Sequence, residues 1–420
     1  MGDFYVLSCV LAAYAIALMA GARQRTLLPW FLAAVTIRVA MLALDAADIW
    51  APPNSNTDAA GFIRQAHVLS AQPWPQLIAA LDYRSAISYV VSGAALFKVI
   101  GFHPYAMQAT NLVVGTINIC LATLLVRKHI SQAAATGAAV LLCLYPFSAF
   151  NSVVALREEF AILFFVAGLV SLMKWVDRRS IAPFFLANGF FVLASFVHPG
   201  FIGAVIAAAG YFMVTAVKDL GRGGDRKSSM ISALVGFVMF LGAVVVLASG
   251  VQLGKGIELS LDPDALAGTI EGKFEGESMG GSAYPAFVAQ GNPISSPWLI
   301  FARMAYLLYS PFPWDVRSAV HIGGLLVGFL YLWLSMRAWR AWRTGLIGGR
   351  MRVLGWIFLA LTLVFAIGTT NSGTAVRHKT KFFPLLVILA APTFRRRIVF
   401  GSGSSPQVIS TQSVRRRIGP

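Results

Sequence analysis

Residues 105–126 read YAMQATNLVVGTINICLATLLV, a stretch without a single Asp, Glu, Lys or Arg. A helix of this length extends about 33 Å, enough to cross the roughly 30 Å hydrocarbon core of a bilayer. Similar apolar stretches recur along the chain, and the mean hydropathy is +0.71. With 57% hydrophobic and only 12% charged residues, the chain has more apolar surface than a soluble domain can bury. We therefore predict an all-α polytopic membrane protein.

Eleven segments have the length and apolar character of membrane-spanning helices. They are 4–21, 27–45, 105–126, 131–149, 157–176, 181–197, 199–217, 229–250, 319–337, 353–370 and 381–394. Two further apolar stretches, 86–101 and 297–312, are interrupted by Lys98 and Arg303, and we interpret them as interfacial or re-entrant helices. Segment 4–21 lacks the charged start of a cleavable signal, so it is expected to stay as an anchor.

The distribution of Lys and Arg predicts the orientation of the chain. A net charge of +17 would suggest a nucleic-acid partner in a soluble protein, but here the basic residues lie in short clusters between apolar segments. With the N-terminus outside, about two thirds of them fall in inside loops, and every inside loop is basic. We therefore predict an outside N-terminus, an inside C-terminus and no nucleic-acid partner.

This topology divides the chain into three predicted parts and several predicted surface segments. They are an N-terminal helix with its basic cytoplasmic loop (1–26), a transmembrane domain (27–394) with outer segments 46–104 and 251–318, and a basic cytoplasmic tail (395–420). The tail is expected to be disordered and to contact anionic lipid. The Gly-rich outer stretch 252–296 is expected to border a substrate cavity and to become ordered when substrate binds.

The sequence offers no pattern typical of a structural metal or disulfide. Cys9, Cys120 and Cys143 each lie in an apolar segment, where cysteine is typically a small buried hydrophobic residue. No CxxC motif or His/Cys cluster indicates zinc, and no residue is predicted as a metal ligand. The few carboxylates leave open whether a divalent metal takes part in the chemistry.

Acidic residues mark two places on the predicted outer face. Asp58 follows the turn-forming stretch PPNSNT at 52–57, and Asn56 or Thr57 could cap a helix that begins near it. Glu158 and Glu159 begin a span, where each unpaired charge would cost at least about 2.5–3.5 kcal/mol. Simpler explanations are an acidic helix start for Asp58 and an intrahelical ion pair with Arg157 for the two glutamates.

Basic and titratable residues lie near these carboxylates in the predicted topology. The stretch TAVRHKTKFF at 374–383 precedes the last span and places four such residues on the outer side, against the general charge bias: Arg377, His378, Lys379 and Lys381. They could anchor the helix at the interface or bind an anion. His198, with Pro199, is predicted to turn the chain between two spans. Arg38 lies in the middle of a span, so it needs a partner or a water-filled cavity.

An outer cavity with carboxylates and a basic patch suits glycosyl transfer. A carboxylate can take the proton of an acceptor hydroxyl or amine that attacks C1 of a sugar. Basic groups can stabilise the departing phosphate. A phosphate that stays attached to a lipid would explain why such an enzyme is embedded in a membrane.

At these residues the sequence resembles the GT-C superfamily of polyprenyl-phosphate-dependent glycosyltransferases, in its bacterial polysaccharide- and lipid-modifying branch. TDAAGFIRQA at 57–66 resembles the loop of the catalytic Asp, with Asp58 in that place and Phe62 where Tyr is usual. SGAALFKVIGF, YPFSAFNSVVALREEF and TAVRHKTKFFP resemble the amphipathic segment, the second acidic site and the terminal basic motif. His198-Pro199 departs from the family's Arg-Pro turn, and segment 4–21 is an extra span.

The resemblance covers roughly residues 27–394 and implies specific roles. Asp58 and Glu158 or Glu159 would be catalytic, and Arg377, His378, Lys379 and Lys381 would bind the phosphate of a polyprenyl-phosphate sugar donor. Arg157, His198 and Arg38 would support the site. The acceptor would be a glycan or lipid in cell-envelope polysaccharide biosynthesis, at the outer face of a bacterial inner membrane.

Two other functions remain open on the sequence. A polysaccharide polymerase or ligase that uses diphosphate-linked oligosaccharides would also carry basic outer loops, but would not need Asp58. A lipid or glycan transporter or flippase would carry charged residues at the midplane of several spans and would show related halves. The sequence has Arg38 in mid-span and no evident internal repeat.

Overall fold

The computed structural model describes residues 1–81, 87–221, 226–248, 252–253, 257–258, 268, 282–289, 296–317 and 319–394. These residues form a predominantly helical protein, as the composition predicts. Two short strands, β1 (Gln252–Leu253) and β2 (Ile257–Glu258), pair in antiparallel orientation. The predicted tail 395–420 and most of the Gly-rich stretch 252–296 lie outside the described residues.

The helices are numbered in chain order. They are α1 (Gly2–Ala22), α2 (Leu28–Ala46), α3 (Ala60–Ser70), α4 (Trp74–Ala79), α5 (Ile87–Ile100), α6 (Ala106–His129), α7 (Gln132–Leu144), α8 (Pro146–Asn151), α9 (Glu158–Arg178), α10 (Ile181–Val197), α11 (Ile202–Gly221), α12 (Arg226–Ala248), α13 (Ala286–Ala289), α14 (Trp298–Tyr309), α15 (Ala319–Arg343), α16 (Arg352–Ile367) and α17 (Ser372–Ala390).

In the described part of the chain, seven helices are long and apolar enough to cross a membrane. They are Gly2–Ala22, Leu28–Ala46, Ala106–His129, Glu158–Arg178, Pro199–Gly221, His321–Arg343 and Gly349–Ile367. Each corresponds to one of the eleven predicted spans. Large apolar side chains are exposed on their outer surfaces, for example Leu11 on α1 (60%) and Leu326 on α15 (65%), as expected for contact with lipid. The protein is therefore a multi-pass membrane protein.

The other four predicted spans differ from a single long apolar helix. Segments 181–197 and 229–250 form α10 and α12, in which the apolar helices are Ile181–Val197 and Ser229–Gly242. The prediction of one continuous helix over 131–149 is wrong, because α7 ends at Leu144 and Tyr145 is extended (φ −67°, ψ 111°). Pro146 follows it, and a residue before proline is disfavoured in helical conformation.

The last span begins earlier than the prediction of 381–394. The side chain of Asn371 accepts a hydrogen bond from the backbone N–H of Thr374 (2.8 Å) and so caps the N-terminus of α17. The helix therefore begins at Ser372, nine residues before Lys381. The basic cluster therefore lies inside a helix and not in a loop that precedes one. Fifteen of the nineteen residues of α17 are buried, because it packs against α6, α9, α14, α15 and α16.

The two interrupted apolar stretches form short helices. α5 and α14 would be about 21 Å and 18 Å long at 1.5 Å per residue, which is shorter than a hydrocarbon core of about 30 Å. α5 packs with α3 over a small apolar core of its own that includes Ala66, Val90 and Phe97. This length and packing agree with an interfacial or re-entrant position.

The helix ends fall into two groups that match the predicted sides. At one end, here called the basic end, Asp177 in the last turn of α9 lies 3.4 Å from Lys128 in the last turn of α6 and 3.9 Å from Arg350 before α16. At the opposite end, here called the site end, the N-terminal Asp3 contacts His103 (3.0 Å). Loops predicted to share a side thus meet at the same end of the bundle.

Candidate active site

Asp58 lies in a tight turn at the site end. Residues Ser55–Ala59 form one π-helical turn before α3, after Asn54 in left-handed conformation (φ 71°). The predicted cap by Asn56 or Thr57 is wrong: neither turn nor α3 has a side-chain cap, and the Thr57 hydroxyl donates instead to the Asn54 carbonyl (3.3 Å). The turn presents Asp58 beside the first turns of α17.

Arg377 joins the two predicted acidic sites. Its NH1 group donates to Oδ2 of Asp58 (2.6 Å), and its NH2 group donates to Oε1 of Glu158 (3.1 Å). Asp58 and Arg377 are 319 positions apart in sequence. The planar guanidinium can bridge two carboxylates in this way, whereas a lysine ammonium would hold them less rigidly. Arg377 therefore ties the first outer segment, the start of α9 and the start of α17 together.

Lys381 extends this cluster one helical turn further along α17. Its Nζ atom lies 3.6 Å from Oε1 of Glu158. The exposed fraction of the side chains falls from 39% for Asp58 and 29% for Arg377 to 3% for Glu158 and 1% for Lys381. The side chains of Asp58 and Arg377 are thus accessible to solvent, while those of Glu158 and Lys381 are buried.

Glu159 does not belong to this cluster. Neighbouring residues on a helix point about 100° apart, so Glu158 and Glu159 face different sides of α9. Oε2 of Glu159 accepts a hydrogen bond from Asn118 (2.8 Å), and Oε1 accepts one from Ser152 (3.2 Å). The structure therefore does not bring Glu159 to Asp58, contrary to the grouping expected from the sequence.

Arg38 has the partners that its mid-span position requires. Its Nε atom donates to Ser152 (3.2 Å), and its guanidinium also donates to Ser148 (3.3 Å) and the Ala34 carbonyl (3.1 Å). Ser152 in turn donates to Glu159, so Arg38 and Glu159 share one buried network, here called the Arg38 network. It connects α2, α6 and α9 with α8 and the irregular stretch that follows α8, and it does not include Arg377.

Lys379 is also separate from the cluster. It is fully buried, and its Nζ atom donates to the carbonyls of Leu308 (3.2 Å) and Ser310 (2.9 Å) at the end of α14. The ring of Tyr331 lies 5.2 Å from the same ammonium group. The expectation that Lys379 binds a donor phosphate is not supported, because its three donors point into the protein between α14 and α15.

His378 and His198 form an aromatic neighbourhood next to the cluster. The Thr369 hydroxyl donates to the Phe365 carbonyl (2.6 Å), so Nδ1 of His378 must be the donor in its 2.8 Å bond to Thr369. The ring centroids of the two histidines are 5.5 Å apart. Burial, and then the positive charges around it, lower the pKa of His198 well below its ordinary value. We therefore treat His198 as neutral.

His198 also occupies the turn expected for it. α10 ends at Val197, a 3-10 turn covers Pro199–Phe201, and α11 begins at Ile202. Nδ1 of His198 accepts a hydrogen bond from the Gly200 backbone N–H (3.3 Å), which fixes the ring in the turn. Arg157 is the last residue of the irregular stretch between α8 and α9. It is half-buried and immediately precedes Glu158.

A cavity of about 480 Å³ adjoins Arg377. This volume is within the usual range of small-molecule sites, about 300–1,000 Å³. The lining residues come from six segments of the chain: Pro53, Asn54, Phe147, Phe150, Asn151, Ser282, Pro311, His321, Gly324, Asn371, Ser372, Gly373, Thr374, Val376, Arg377 and Thr380. Asp58 and Glu158 are not among these lining residues, so Arg377 is the member of the cluster that lines the cavity.

Several polar residues of the site and its surroundings were not anticipated from the sequence. Asn118 and Ser152 bind Glu159, while Asn151 and Asn371 line the cavity. A signal was available for Asn118, because an amide in an apolar span that repeats Asn111 seven positions later marks one face of the helix. Ser152, which follows α8, had no such signal in the sequence.

Metal ligands and thiols add nothing to the site within the described residues. No three side chains of His, Cys, Asp or Glu gather there as a metal site would require. Cys9, Cys120 and Cys143 are free and buried, in agreement with their expected role as small hydrophobic residues. The chemistry available at the site is that of two carboxylates, three cations and amide and hydroxyl donors.

Comparison with models of known protein families and with curated proteins gives no match for this chain.

Proposed function

We propose that the protein is a membrane glycosyltransferase of GT-C-like fold that takes a sugar from a polyprenyl-phosphate donor. The observation that supports this most is the bridge of Arg377 between Asp58 and Glu158 beside the cavity. It puts a carboxylate that can accept a proton next to a cation that can stabilise a phosphate. The acceptor is a glycan or lipid of the cell envelope.

The proposal includes the finer topology. Eleven segments cross the inner membrane of a bacterium: α10, α12, α7 together with α8, and α17 together with the 3-10 turn Ala391–Phe394 complete the seven long helices. The site end faces the exterior or periplasm, and the basic end faces the cytoplasm. This orientation places Arg377 where a polyprenyl phosphate presents its head group.

In the proposed reaction, the oxygen of an acceptor hydroxyl attacks C1 of the donor sugar. The bond between C1 and the phosphate oxygen breaks, and its electron pair leaves with the polyprenyl phosphate. Asp58 receives the hydroxyl proton, since its carboxylate is the accessible one. Glu158, which is buried against Arg377 and Lys381, holds these two cations in place and is a positioning residue.

The bridge also sets a condition on Asp58. While Arg377 donates to Oδ2 of Asp58 (2.6 Å), that oxygen is occupied and less free to accept the proton of an acceptor hydroxyl. Donor phosphate would compete with Asp58 for Arg377, and the released oxygen could then accept this proton. Proton acceptance would thus depend on a bound donor.

The direct test is sugar transfer by the purified full-length protein. A polyprenyl-phosphate sugar and a polyprenyl-diphosphate oligosaccharide are supplied in parallel, and both lipid phosphate release and glycan product are measured. We expect transfer from the monophosphate donor, lowered about 10²-fold or more by Asp58→Asn. Asp48→Asn, an exposed carboxylate in the same outer segment, is the matched control. Transfer only from the diphosphate donor would support a polymerase or ligase and contradict the proposal.

A transporter is the second candidate, because the Arg38 network places an arginine and a glutamate together inside the bundle. A transporter would move a labelled lipid or glycan across a proteoliposome membrane without breaking a glycosidic bond. Movement without product would favour this alternative.

A further inference from the structure

We propose that an exposed surface of α15 and α16 at the basic end binds a phospholipid with a negatively charged head group. The surface, here called the Arg–Trp surface, is the exposed face of residues 329–363, which comprise most of α15, the loop 344–351 and most of α16. No residue of the Arg377 cluster belongs to it. The inference is therefore independent of the proposed sugar transfer.

Each of the two helices carries an exposed stripe that is apolar along most of its length and ends in an arginine. The stripe on α15 is Phe329, Trp333, Met336 and Arg340, and the stripe on α16 is Arg352, Trp356, Leu359 and Leu363. Both follow the spacing i, i+4, i+7 and i+11, which places the four side chains on one face of a helix. α15 ends and α16 begins at the basic end, so both arginines lie there. An apolar stripe below a cation matches an acyl chain below an anionic head group.

The charge of this surface has little compensation within the protein. Residues 337–352 contain five arginines, and the sequence has no Asp or Glu after Asp315. Among the described residues, Arg350 is the one of the five that lies within 4 Å of a carboxylate, at 3.9 Å from Asp177. Asp177 also lies 3.4 Å from Lys128, so this carboxylate is shared. Five arginines against one shared carboxylate leave a positive surface that an anionic partner would neutralise.

Tryptophan rings hold the arginines at this surface. The guanidinium of Arg352 lies 5.8 Å from the ring centroid of Trp342, and that of Arg343 lies 5.9 Å from the ring centroid of Trp339. Trp342 also packs edge-on against Trp356, with ring centroids 6.3 Å apart, and so brings the end of α15 against the start of α16. A guanidinium stacked on a ring can still direct its N–H groups to phosphate oxygens. Tryptophan itself is favoured at the depth of lipid head groups.

Two other kinds of partner fit this surface less well. The C-terminal tail 395–420 contains six arginines and no Asp or Glu, so it would be repelled. An acidic soluble protein would match the charge but would leave the apolar stripes without a partner. A phospholipid matches both features, because its phosphodiester is negative and its acyl chains are apolar.

The test is lipid binding to the full-length protein, measured by native mass spectrometry after release from a neutral detergent. Dioleoyl phosphatidylglycerol and dioleoyl phosphatidylcholine are titrated separately, and the bound lipids are counted. We expect the wild type to bind phosphatidylglycerol more tightly. The double variant Arg340→Gln with Arg352→Gln should weaken this binding about thirtyfold, because each basic residue near an anionic lipid contributes roughly fivefold. Its binding of phosphatidylcholine should not change.

Arg23→Gln with Arg25→Gln is the matched control. Both arginines are exposed in the loop between α1 and α2, whose Thr26 accepts a hydrogen bond from Gln132 (2.6 Å) after α6. This pair removes the same charge from the basic end and should leave the affinity for phosphatidylglycerol unchanged. Equal weakening in the control would indicate general attraction by basic loops and would overturn the inference. Thermal unfolding in the neutral detergent verifies that both double variants are folded.

The head group without acyl chains distinguishes a lipid from a soluble anion. Glycerophosphorylglycerol has the same phosphodiester but nothing to cover the apolar stripes, so it should not displace phosphatidylglycerol. Displacement at equal concentration would contradict a lipid as the ligand. Equally tight binding of phosphatidylcholine by the wild type would also overturn the inference, as would unchanged binding of phosphatidylglycerol in a folded Arg340→Gln and Arg352→Gln protein.

Discussion

At the scale of single residues, spacing within α17 separates the chemistry from the support. Arg377 and Lys381 are four positions apart, so they share a helix face, and both contact Glu158. Lys379 lies between them in sequence and points to the opposite side, where it binds two carbonyls at the end of α14. One basic stretch thus serves two purposes on two faces of the same helix.

This division predicts opposite phenotypes for Lys379→Met and Lys381→Met. Loss of Lys379 leaves the carbonyls of Leu308 and Ser310 buried without a donor, which should cost about 1–3 kcal/mol of stability. It should leave the donor KM unchanged. Loss of Lys381 removes a cation from Glu158 and should raise the donor KM. Thermal unfolding in detergent and donor titration measure the two effects. A raised donor KM in Lys379→Met with normal stability would contradict the assignment.

At the scale of elements, the Arg38 network holds the irregular stretch between α8 and α9 in place. Arg38 on α2 and Glu159 on α9 both bind Ser152, which lies in the irregular stretch between α8 and α9. Gly115 of α6 packs against this point, since a Cβ there would lie 2.3 Å from the Ser152 hydroxyl oxygen. The network therefore sets the start of α9, and with it the direction in which Glu158 faces Arg377.

Removing one charge of this network should cost more than removing both. Arg38→Met leaves Glu159 buried without its cation, and we expect a loss of about 3–5 kcal/mol. Arg38→Met with Glu159→Gln removes the uncompensated charge, so the double variant should be more stable than Arg38→Met alone. Unfolding of the four proteins in detergent gives the coupling. Strictly additive losses would show that the two residues do not interact.

The sequence anticipated that three charged residues lie together better than it anticipated where the helices begin and end. The charge bias placed Asp58, Glu158 and Arg377 on one side, and they lie in one cluster. The four-residue spacing of Arg377 and Lys381 could have been recognised, had the helix been predicted to begin at Asn371. The separation of Glu159 from Glu158 could not, because it depends on Asn118 and Ser152 from other elements. Long-range partners of this kind have no signature in local sequence.

At the scale of the whole molecule, the charges at the two ends differ in kind. The basic end carries arginines stacked on tryptophans, such as Arg179 over Trp175 (4.3 Å) and Arg337 over Trp333 (5.1 Å). Arginine and tryptophan are both favoured at membrane interfaces, and basic loops favour the cytoplasmic side. The site end carries the cavity and the cluster of Asp58, Glu158, Arg377 and Lys381. This asymmetry suits a protein whose substrates arrive at one side.

The asymmetry predicts where reporter fusions will appear. Fusions within 222–227 should report the cytoplasm, and fusions within 270–280 should report the exterior, because the loop charges favour this orientation. A phosphatase and fluorescent-protein pair at both positions makes the result internally controlled. The reverse pattern would place the Arg377 cluster on the cytoplasmic side and remove the outward-facing site.

The most direct measurement for the whole account is donor kinetics of Arg377→Lys and Arg377→Ala. A lysine keeps the charge but cannot bridge Asp58 and Glu158 with a planar fork while it contacts a phosphate. Both variants should therefore raise the donor KM or lower kcat, Arg377→Ala more than Arg377→Lys. Arg64→Lys on the exposed face of α3 is the control. Unchanged kcat and donor KM in both Arg377 variants, with normal folding, would contradict the account.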